Sequence, residues 1–149
     1  MDFASVRIIT DNLDEVVGFY EQITGVSAVR PAPVFASLRL PSANVDFGHA
    51  QTAQLFKDAA HPADNRTVIL DFIVDDVDKE YERLKTFVSD WVLEPTTMPW
   101  GNRSVLFRDP DGNLVNLFTP VTEEAIKRFN TKVQDAGSEG GDAGGEVSA

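Results

Sequence analysis

Apolar and polar positions divide the first part of the chain into a strand and a helix. Residues 3–10 place apolar side chains at every second position, and this two-residue period predicts a strand. Asn12 and Glu15 have the spacing of a capping box, and Gly25 fits the left-handed position after a helix. Helical spacing between these signals joins Leu13, Val16, Val17, Tyr20 and Ile23.

Prolines and polar breaks then separate a run of shorter segments. Three strands are predicted at about 26–30, 34–40 and 43–49. Residues 50–65 form a connection, and residues 67–74 have the composition of another strand. Asp75 and Asp76 are suited to cap a second helix, which carries Val77, Tyr81, Leu84, Phe87 and Val88.

A hairpin is the strongest local prediction in the second half. After a strand near 91–97, two apolar runs, Arg103–Arg108 and Leu114–Phe118, flank the sequence DPDGN. Pro110 presets φ at the first central position of a type I turn, and Gly112 can take the positive φ that follows. The two runs are therefore predicted to pair as antiparallel strands.

The order strand, helix, strand, strand, strand occurs twice along the chain. Ile8–Leu13 lies over Phe72–Val77, and Pro41 and Asn44 lie over Pro110 and Asn113. An internal repeat of this kind is stronger evidence than either half alone. We therefore predict an α+β fold of two tandem βαβββ modules, at about 3–50 and 66–120, within one domain spanning 1–121.

The C-terminal part has a different character. Residues 122–135 are predicted as a third helix with Ile126, Phe129 and Val133 on one stripe. From residue 136 to residue 149, Gly, Ser, Asp and Glu dominate. Such a segment cannot bury apolar surface, so we predict a disordered acidic tail.

Composition limits the classes of partner. The chain of 149 residues carries a net charge of −11 and has no cysteine, which excludes disulfides and thiolate metal sites. The acidic charge disfavours nucleic acid and mildly favours cations. No signal peptide and no bilayer-length apolar run are recognised. We therefore predict a cytoplasmic protein with neither nucleic acid nor membrane as a partner.

The duplicated module ending in FRDPDGNLVNLF, with Trp100 and Gly101 just ahead of it, resembles the vicinal oxygen chelate superfamily. That superfamily includes glyoxalase I, fosfomycin-resistance enzymes, extradiol dioxygenases and bleomycin-resistance proteins, and the resemblance covers roughly residues 3–120. It implies that the two modules form a partly open eight-stranded barrel, or cup, with outer helices. It also implies a ligand in the cup, a metal ion there in the enzymes, and a homodimer in many members.

The resemblance also allows the metal ligands to be examined one by one. The family's enzymes use a His on the first strand of a module and a Glu on the last strand. The matching positions here are Ser5, Ile69 and Asn116, together with Phe47, or Asp46 if the alignment slips by one. These side chains do not make a first-row metal site, so no cofactor is expected.

Strand alternation indicates which side chains face the cup. If Val6 and Ile8 pack against the helices, Arg7 points the other way, and Asp71 does so at the matching position of the second module. We predict that Arg7 and Asp71 approach each other at the cup floor, either as a structural ion pair or as a polar anchor for a ligand. Asn116 supplies a neutral group that donates and accepts hydrogen bonds.

Other candidates have two interpretations each. Trp100, at the cup mouth, would stack on a planar or cationic ligand or would plug the rim. Arg103 would pair with an anionic ligand group or with a neighbouring acid. His49 ends a strand and would face the cup or serve a structural role, whereas His61 lies in a polar connection and is expected to be exposed. Trp91 is assigned to helix–sheet packing.

These observations give one leading function and two alternatives. The predicted ligand-binding residues are Arg7, Phe47, His49, Asp71, Trp100, Arg103 and Asn116, with no catalytic residue assigned. The leading hypothesis is a metal-free protein, similar to the drug-sequestering bleomycin-resistance branch, that binds a cationic or aromatic small molecule and forms a homodimer. The alternatives are a lyase, isomerase or dioxygenase with an atypical or absent metal site, and a structural or regulatory module without a ligand.

Overall fold

The structure is a computed structural model that describes the backbone of residues 1–138 and the side chains of residues 1–130. The first module consists of β1 (Ser5–Thr10), α1 (Leu13–Thr24), β2 (Val29–Ala32), β3 (Phe35–Arg39) and β4 (Asn44–His49). The second consists of β5 (Ile69–Ile73), α3 (Val77–Leu84), β6 (Trp91–Thr97), β7 (Asn102–Arg108) and β8 (Leu114–Pro120). A short helix, α2 (Ala50–Ala53), and a 3₁₀ turn (Gln54–Phe56) follow the first module, and α4 (Glu123–Ser138) follows the second.

Each module forms its own four-stranded sheet. The strand orders are β1-β4-β3-β2 and β5-β8-β7-β6, with the first and last strands of each module parallel and the other pairs antiparallel. This is the predicted α+β fold of two βαβββ modules, in a form that is not a closed barrel. Among the described residues, β1 and β5 each have one edge without a strand partner.

One hydrophobic core joins the two modules. Alternate residues of both sheets contribute to it, including Phe47 on β4 and Phe107 on β7. Phe19 of α1 contacts Phe87 and Phe107 of the second module at ring distances of 6.0 and 6.1 Å. Both sheets therefore turn one face toward a shared core, and we call the opposite side of each sheet its open face.

A buried hydrogen bond also crosses between the modules. The Tyr20 hydroxyl of α1 donates to Oδ2 of Asp109 at 2.7 Å, and Asn113 donates to the same oxygen at 2.8 Å. Burial, reinforced by the negative charge of Asp109, raises the pKa of Tyr20 well above its ordinary value. The 109–113 turn is thus attached to the first module as well as to its own hairpin.

The turn and the helix ends show which of the predicted turn and capping residues act as such in the structure. Gly112 has φ of 83°, and its N–H donates to the Asp109 carbonyl at 2.9 Å, as a turn at this position requires. Asp76 caps α3 by accepting from two backbone N–H groups. The predicted capping box at Asn12 is wrong, because the Asn12 side chain makes no cap hydrogen bond and its N–H donates to the Thr10 hydroxyl instead.

Two other predicted boundaries differ from the structure. The strand predicted at 26–30 begins only at Val29. The second helix ends at Leu84, where a turn begins with the N–H groups of Phe87 and Val88 both donating to the Leu84 carbonyl. Phe87 and Val88 still reach the core from this turn, which explains why they matched the helical period.

The last helix packs on the open face of the second sheet. Ala125 is fully buried, Phe129 contacts Phe118 at a ring distance of 5.1 Å, and Arg128 donates to the Trp100 carbonyl at 3.0 Å. Helix α4 runs three residues past its predicted end. The side chain of Val133 lies outside the described side chains, and residues 139–149 of the predicted tail lie outside the described backbone. None of the described helices has the length and apolar character needed to cross a lipid bilayer.

Candidate functional site

Two polar pairs occupy matching positions at the centres of the two open faces. Arg7 of β1 lies beside Asp46 of β4, and Asp71 of β5 lies beside Asn116 of β8. We call these four residues the polar quartet. Their strands are the first and last of each module, so the repeat places equivalent backbone positions in both sheets.

Strand register decides between the two candidates on β4. Phe47 pairs with Ile8 on the core side, is fully buried and lies 5.3 Å from the ring of Tyr20. The prediction of Phe47 as a ligand-binding residue is therefore wrong, and Asp46, the alternative, is the residue on the open face. The error arose from the repeat alignment, because the register makes Asn44 equivalent to Leu114 rather than to Asn113.

In the first sheet the two members of the quartet have different partners. The Arg7 guanidinium lies 5.7 Å from the centre of the Phe35 ring and 5.8 Å from that of Phe56. Asp46 is 8% exposed and accepts a hydrogen bond of 2.6 Å from the Ser37 hydroxyl. No ion pair joins Arg7 to Asp46 among the described side chains, although they are neighbours in register.

In the second sheet the two members bind each other. The Asn116 side-chain amide donates to Oδ1 of Asp71 at 2.8 Å. The Oδ1 atom of Asn116 is buried and has no hydrogen-bond partner. A buried acceptor atom normally receives a hydrogen bond from a donor. Ile69 and Ile73 flank Asp71 on the same face, and both are about half exposed.

The predicted approach of Arg7 and Asp71 gives no ion pair within one chain. Each lies on the open face of a different sheet, and these faces point away from the shared core. No ion pair between them is present among the side chains of residues 1–130. The strand alternation that placed each residue on an open face was nevertheless predicted correctly.

Arg103 lies on the core side of β7. Its guanidinium donates to both carboxylate oxygens of Asp78 on α3, at 2.9 and 3.0 Å. These hydrogen bonds lower the pKa of Asp78 and raise the pKa of Arg103. The structure therefore agrees with the interpretation in which Arg103 pairs with a neighbouring acid. Because the guanidinium already binds Asp78, the geometry gives no support to the interpretation in which Arg103 binds a ligand.

Among the described side chains, Trp100 and the two histidines make no hydrogen bond to the polar quartet, although His61 lines the same pocket as Arg7. Trp100 occupies the turn between β6 and β7, with its side chain 58% exposed. The Nδ1 atom of His49 accepts from the Gln51 N–H at 3.2 Å and so caps α2, which favours the structural interpretation. His61 is exposed, as expected. Trp91 packs between Tyr81 and Phe107, at ring distances of 4.9 and 5.4 Å.

The side chains present do not fit the divalent ion that the resemblance implies for the family's enzymes. Within residues 1–130, no group of three or more His, Cys, Asp or Glu residues is placed to hold a metal ion. The quartet combines two carboxylates, on different sheets, with an amide and a guanidinium, and it lacks the imidazole ligands that such an ion prefers. Its chemistry is that of hydrogen bonding and charge pairing.

Several residues of this region were not identified from the sequence. Phe35 and Ser37 lie at alternate positions of β3 and therefore share the open face with Arg7. This two-residue alternation is visible in the sequence. Phe56 comes from the 3₁₀ turn outside the repeat, and no sequence signal links it to Arg7. A groove of about 990 Å³ between the modules, lined by β5, Leu40 and Arg83, also depends on tertiary packing.

Comparison with known proteins identifies the relatives of this fold. Residues 2–117 match the family described as "Glyoxalase/Bleomycin resistance protein/Dioxygenase superfamily". A glyoxalase/bleomycin resistance protein/dioxygenase from Nocardioides aligns with a TM-score of 0.68 and 20% identity, over 99% of this chain and 90% of that one. The chain matches none of the curated proteins in sequence.

Two further solved structures share the architecture. A family enzyme from Burkholderia phytofirmans PsJN aligns with a TM-score of 0.73 and 19% identity, over 81% of this chain and 100% of that one. A lactoylglutathione lyase from Agrobacterium tumefaciens aligns with a TM-score of 0.60 and 21% identity, over 78% and 92%. At these identities the likeness concerns the fold.

Proposed function

The chain belongs to the Glyoxalase/Bleomycin resistance protein/Dioxygenase superfamily, and we propose that it binds a cationic or aromatic small molecule on its open faces without a metal ion. The observation that carries this proposal is the polar quartet. Arg7 has unused donors, and Asn116 has a buried oxygen without a donor. A ligand with complementary groups would satisfy both.

Charge and apolar surface support the type of ligand. Asp46 and Asp71 outnumber Arg7, so the quartet carries a net negative charge that attracts a cation. The rings of Phe35 and Phe56 on one face, and Ile69 and Ile73 on the other, offer apolar contact around these charges. Apolar surroundings with a few convergent polar groups are typical of small-molecule sites.

The same proposal includes a homodimer in which the first open face of one copy meets the second open face of the other. Three features support this pairing: the unpartnered edges of β1 and β5, the exposed isoleucines on β5, and the division of the quartet between two faces of one chain. Exposed edges and apolar residues are typical of surfaces that associate. In such a pair Arg7 and Asp71 would line one cavity, and neither face would be complete alone.

Titration of isotope-labelled protein with benzylammonium, followed by NMR, tests the binding proposal. We expect saturable shifts at Asp71 and at the Asn116 side-chain amide. Asp71→Asn should weaken binding about fivefold or more, because it removes the charge that attracts the ammonium group. Asp75→Asn, two residues beyond β5 at an exposed position, should leave the affinity unchanged.

Two results would contradict the proposal. One is the absence of saturable shifts on the open faces with benzylammonium and larger aromatic amines. The other is a stoichiometric divalent metal in protein purified without chelator, which would favour a lyase, isomerase or dioxygenase instead. Elemental analysis of the same sample measures the metal content.

A further inference from the structure

Arg7 is held in place by aromatic rings rather than by acids. Phe35 approaches its guanidinium from β3, and Phe56 approaches from the 3₁₀ turn, each within 6 Å of the ring centre. A cation at this distance from an aromatic face is attracted to it. Two such contacts fix the position of the charged group while its N–H groups still lack acceptors.

The backbone beneath Arg7 is shaped to accommodate it. Gly48 lies on the same face of β4, and a Cβ atom there would come within 2.8 Å of the Thr52 hydroxyl and 3.9 Å of Cδ of Arg7. The absence of a side chain at position 48 lets α2, and hence the turn that carries Phe56, lie close to the strand. The aromatic contacts of Arg7 therefore depend on this local packing.

Six of the seven other arginines use their donors within the described structure. Hydrogen bonds to carboxylates or carbonyls are made by Arg30, Arg66, Arg83, Arg103, Arg108 and Arg128. Among the described residues Arg7 makes none, although Asp46, which accepts from Ser37, is its neighbour in register. Arg39, exposed on the same face, also has no acceptor within hydrogen-bond distance among the described residues and no aromatic contact.

We propose that Arg7 binds a carboxylate of the small molecule held on the open faces. This inference rests on the proposed function and adds to it that the ligand carries an anionic oxygen group beside its cationic or aromatic part. A guanidinium presents a planar fork of donors that matches a carboxylate with two parallel hydrogen bonds. Since the aromatic contacts already restrict Arg7, little side-chain freedom is lost when it binds.

Two probes that differ only by a carboxylate test this inference. NMR titrations would compare 4-(aminomethyl)benzoate with benzylammonium. We expect the wild-type protein to bind the benzoate at least about tenfold more tightly, with a shift of the Arg7 Nε–H signal. Arg7→Gln should abolish the difference between the probes, and the matched variant Arg39→Gln should retain it.

The possible outcomes separate this inference from the function on which it rests. Equal affinities of the two probes in the wild type, or a tenfold difference that survives Arg7→Gln, would overturn the carboxylate site and leave amine binding intact. Failure of both probes to bind would overturn both proposals. Circular dichroism spectra of the two variants establish that each is folded.

Discussion

At the scale of single residues, Asp111 is a carboxylate in an unfavourable environment. It lies in the turn that joins β7 to β8, and its Oδ2 atom is buried without a hydrogen-bond partner. Burial raises the pKa of Asp111, with Asp109, Glu15 and Asp11 adding to the effect, and the Thr10 hydroxyl only partly opposes it. The ionised form is therefore disfavoured in the folded protein.

Replacement of Asp111 by Asn should stabilise the protein at neutral pH by up to about 0.5 kcal/mol, because an amide suits the turn and carries no charge, whereas solvent screens part of the charge effect. When folding raises the pKa of a carboxyl, the folded protein loses stability as pH rises from the unfolded pKa of that group through its folded pKa. The gain should therefore be present at pH 7 and shrink as pH falls toward 4. Urea unfolding at several pH values measures it.

Asp90→Asn, at an exposed position close to the same turn, is the control and should change the stability little at any pH. A variant Asp111→Asn that is less stable than the wild type at pH 7 would refute the interpretation. So would a gain in stability that stays constant from pH 4 to pH 7.

The residue scale also shows how far the candidate site was predictable. Alternation along β1 and β5 placed Arg7 and Asp71 on the open faces from sequence alone, and Asn116 followed from the family resemblance, as the position that matches the metal-binding Glu of the last strand. Asp46 was only an alternative, because a one-residue change of strand offset between the modules exchanges it with Phe47. The contact of Phe56 with Arg7 lies outside any periodic pattern and required the folded chain.

At the scale of elements, α1 is completed by a side chain from the other module. No basic residue lies in its last turn, but Arg83 of α3 donates to the carbonyls of Gln22 and Ile23 at 2.7 Å each. Carbonyls at a helix C-terminus lack intrahelical partners, and a cation there is also favoured by the helix dipole. The two helices thereby fix each other's position at the boundary between the modules.

Arg83→Met should destabilise the protein by about 1 kcal/mol, because it removes these two hydrogen bonds, together with an ion pair to Glu80, and keeps most of the aliphatic stem. Urea denaturation measures the change in the free energy of unfolding. Arg30→Met removes an exposed ion pair with Asp14 and should cost less than about 0.5 kcal/mol. Equal effects of the two variants would show that Arg83 contributes no more than a surface charge.

Element boundaries were predicted where local chemistry determines them. Gly25 ends α1 in the left-handed conformation, Asp76 caps α3, and β6 covers the predicted range. The capping signal failed at Asn12, where the backbone N–H donates to the Thr10 hydroxyl instead. The helical period failed at Phe87, which matches that period only because it packs against the core. Tertiary contacts decided both positions, so no local pattern could reveal them.

At the scale of the whole molecule, the proposed homodimer makes β5 part of an interface. Ile73→Lys should convert the protein to a monomer in sedimentation equilibrium, because it places a charge on the 55% exposed side chain that would face the second copy. Val92→Lys on β6 changes a similarly exposed apolar residue and should leave the dimer intact. A wild-type protein that sediments as a monomer at tens of micromolar would refute the pairing.

The shared core has a consequence for each unit taken alone. Because α1 packs against Phe107 and Tyr20 bonds to Asp109, neither βαβββ unit encloses its own apolar side. A single unit in solution would therefore need a second unit to shield that side from water. The covalent link between the units holds this shield in place even where equivalent positions differ, as the opposite charges of Arg7 and Asp71 illustrate.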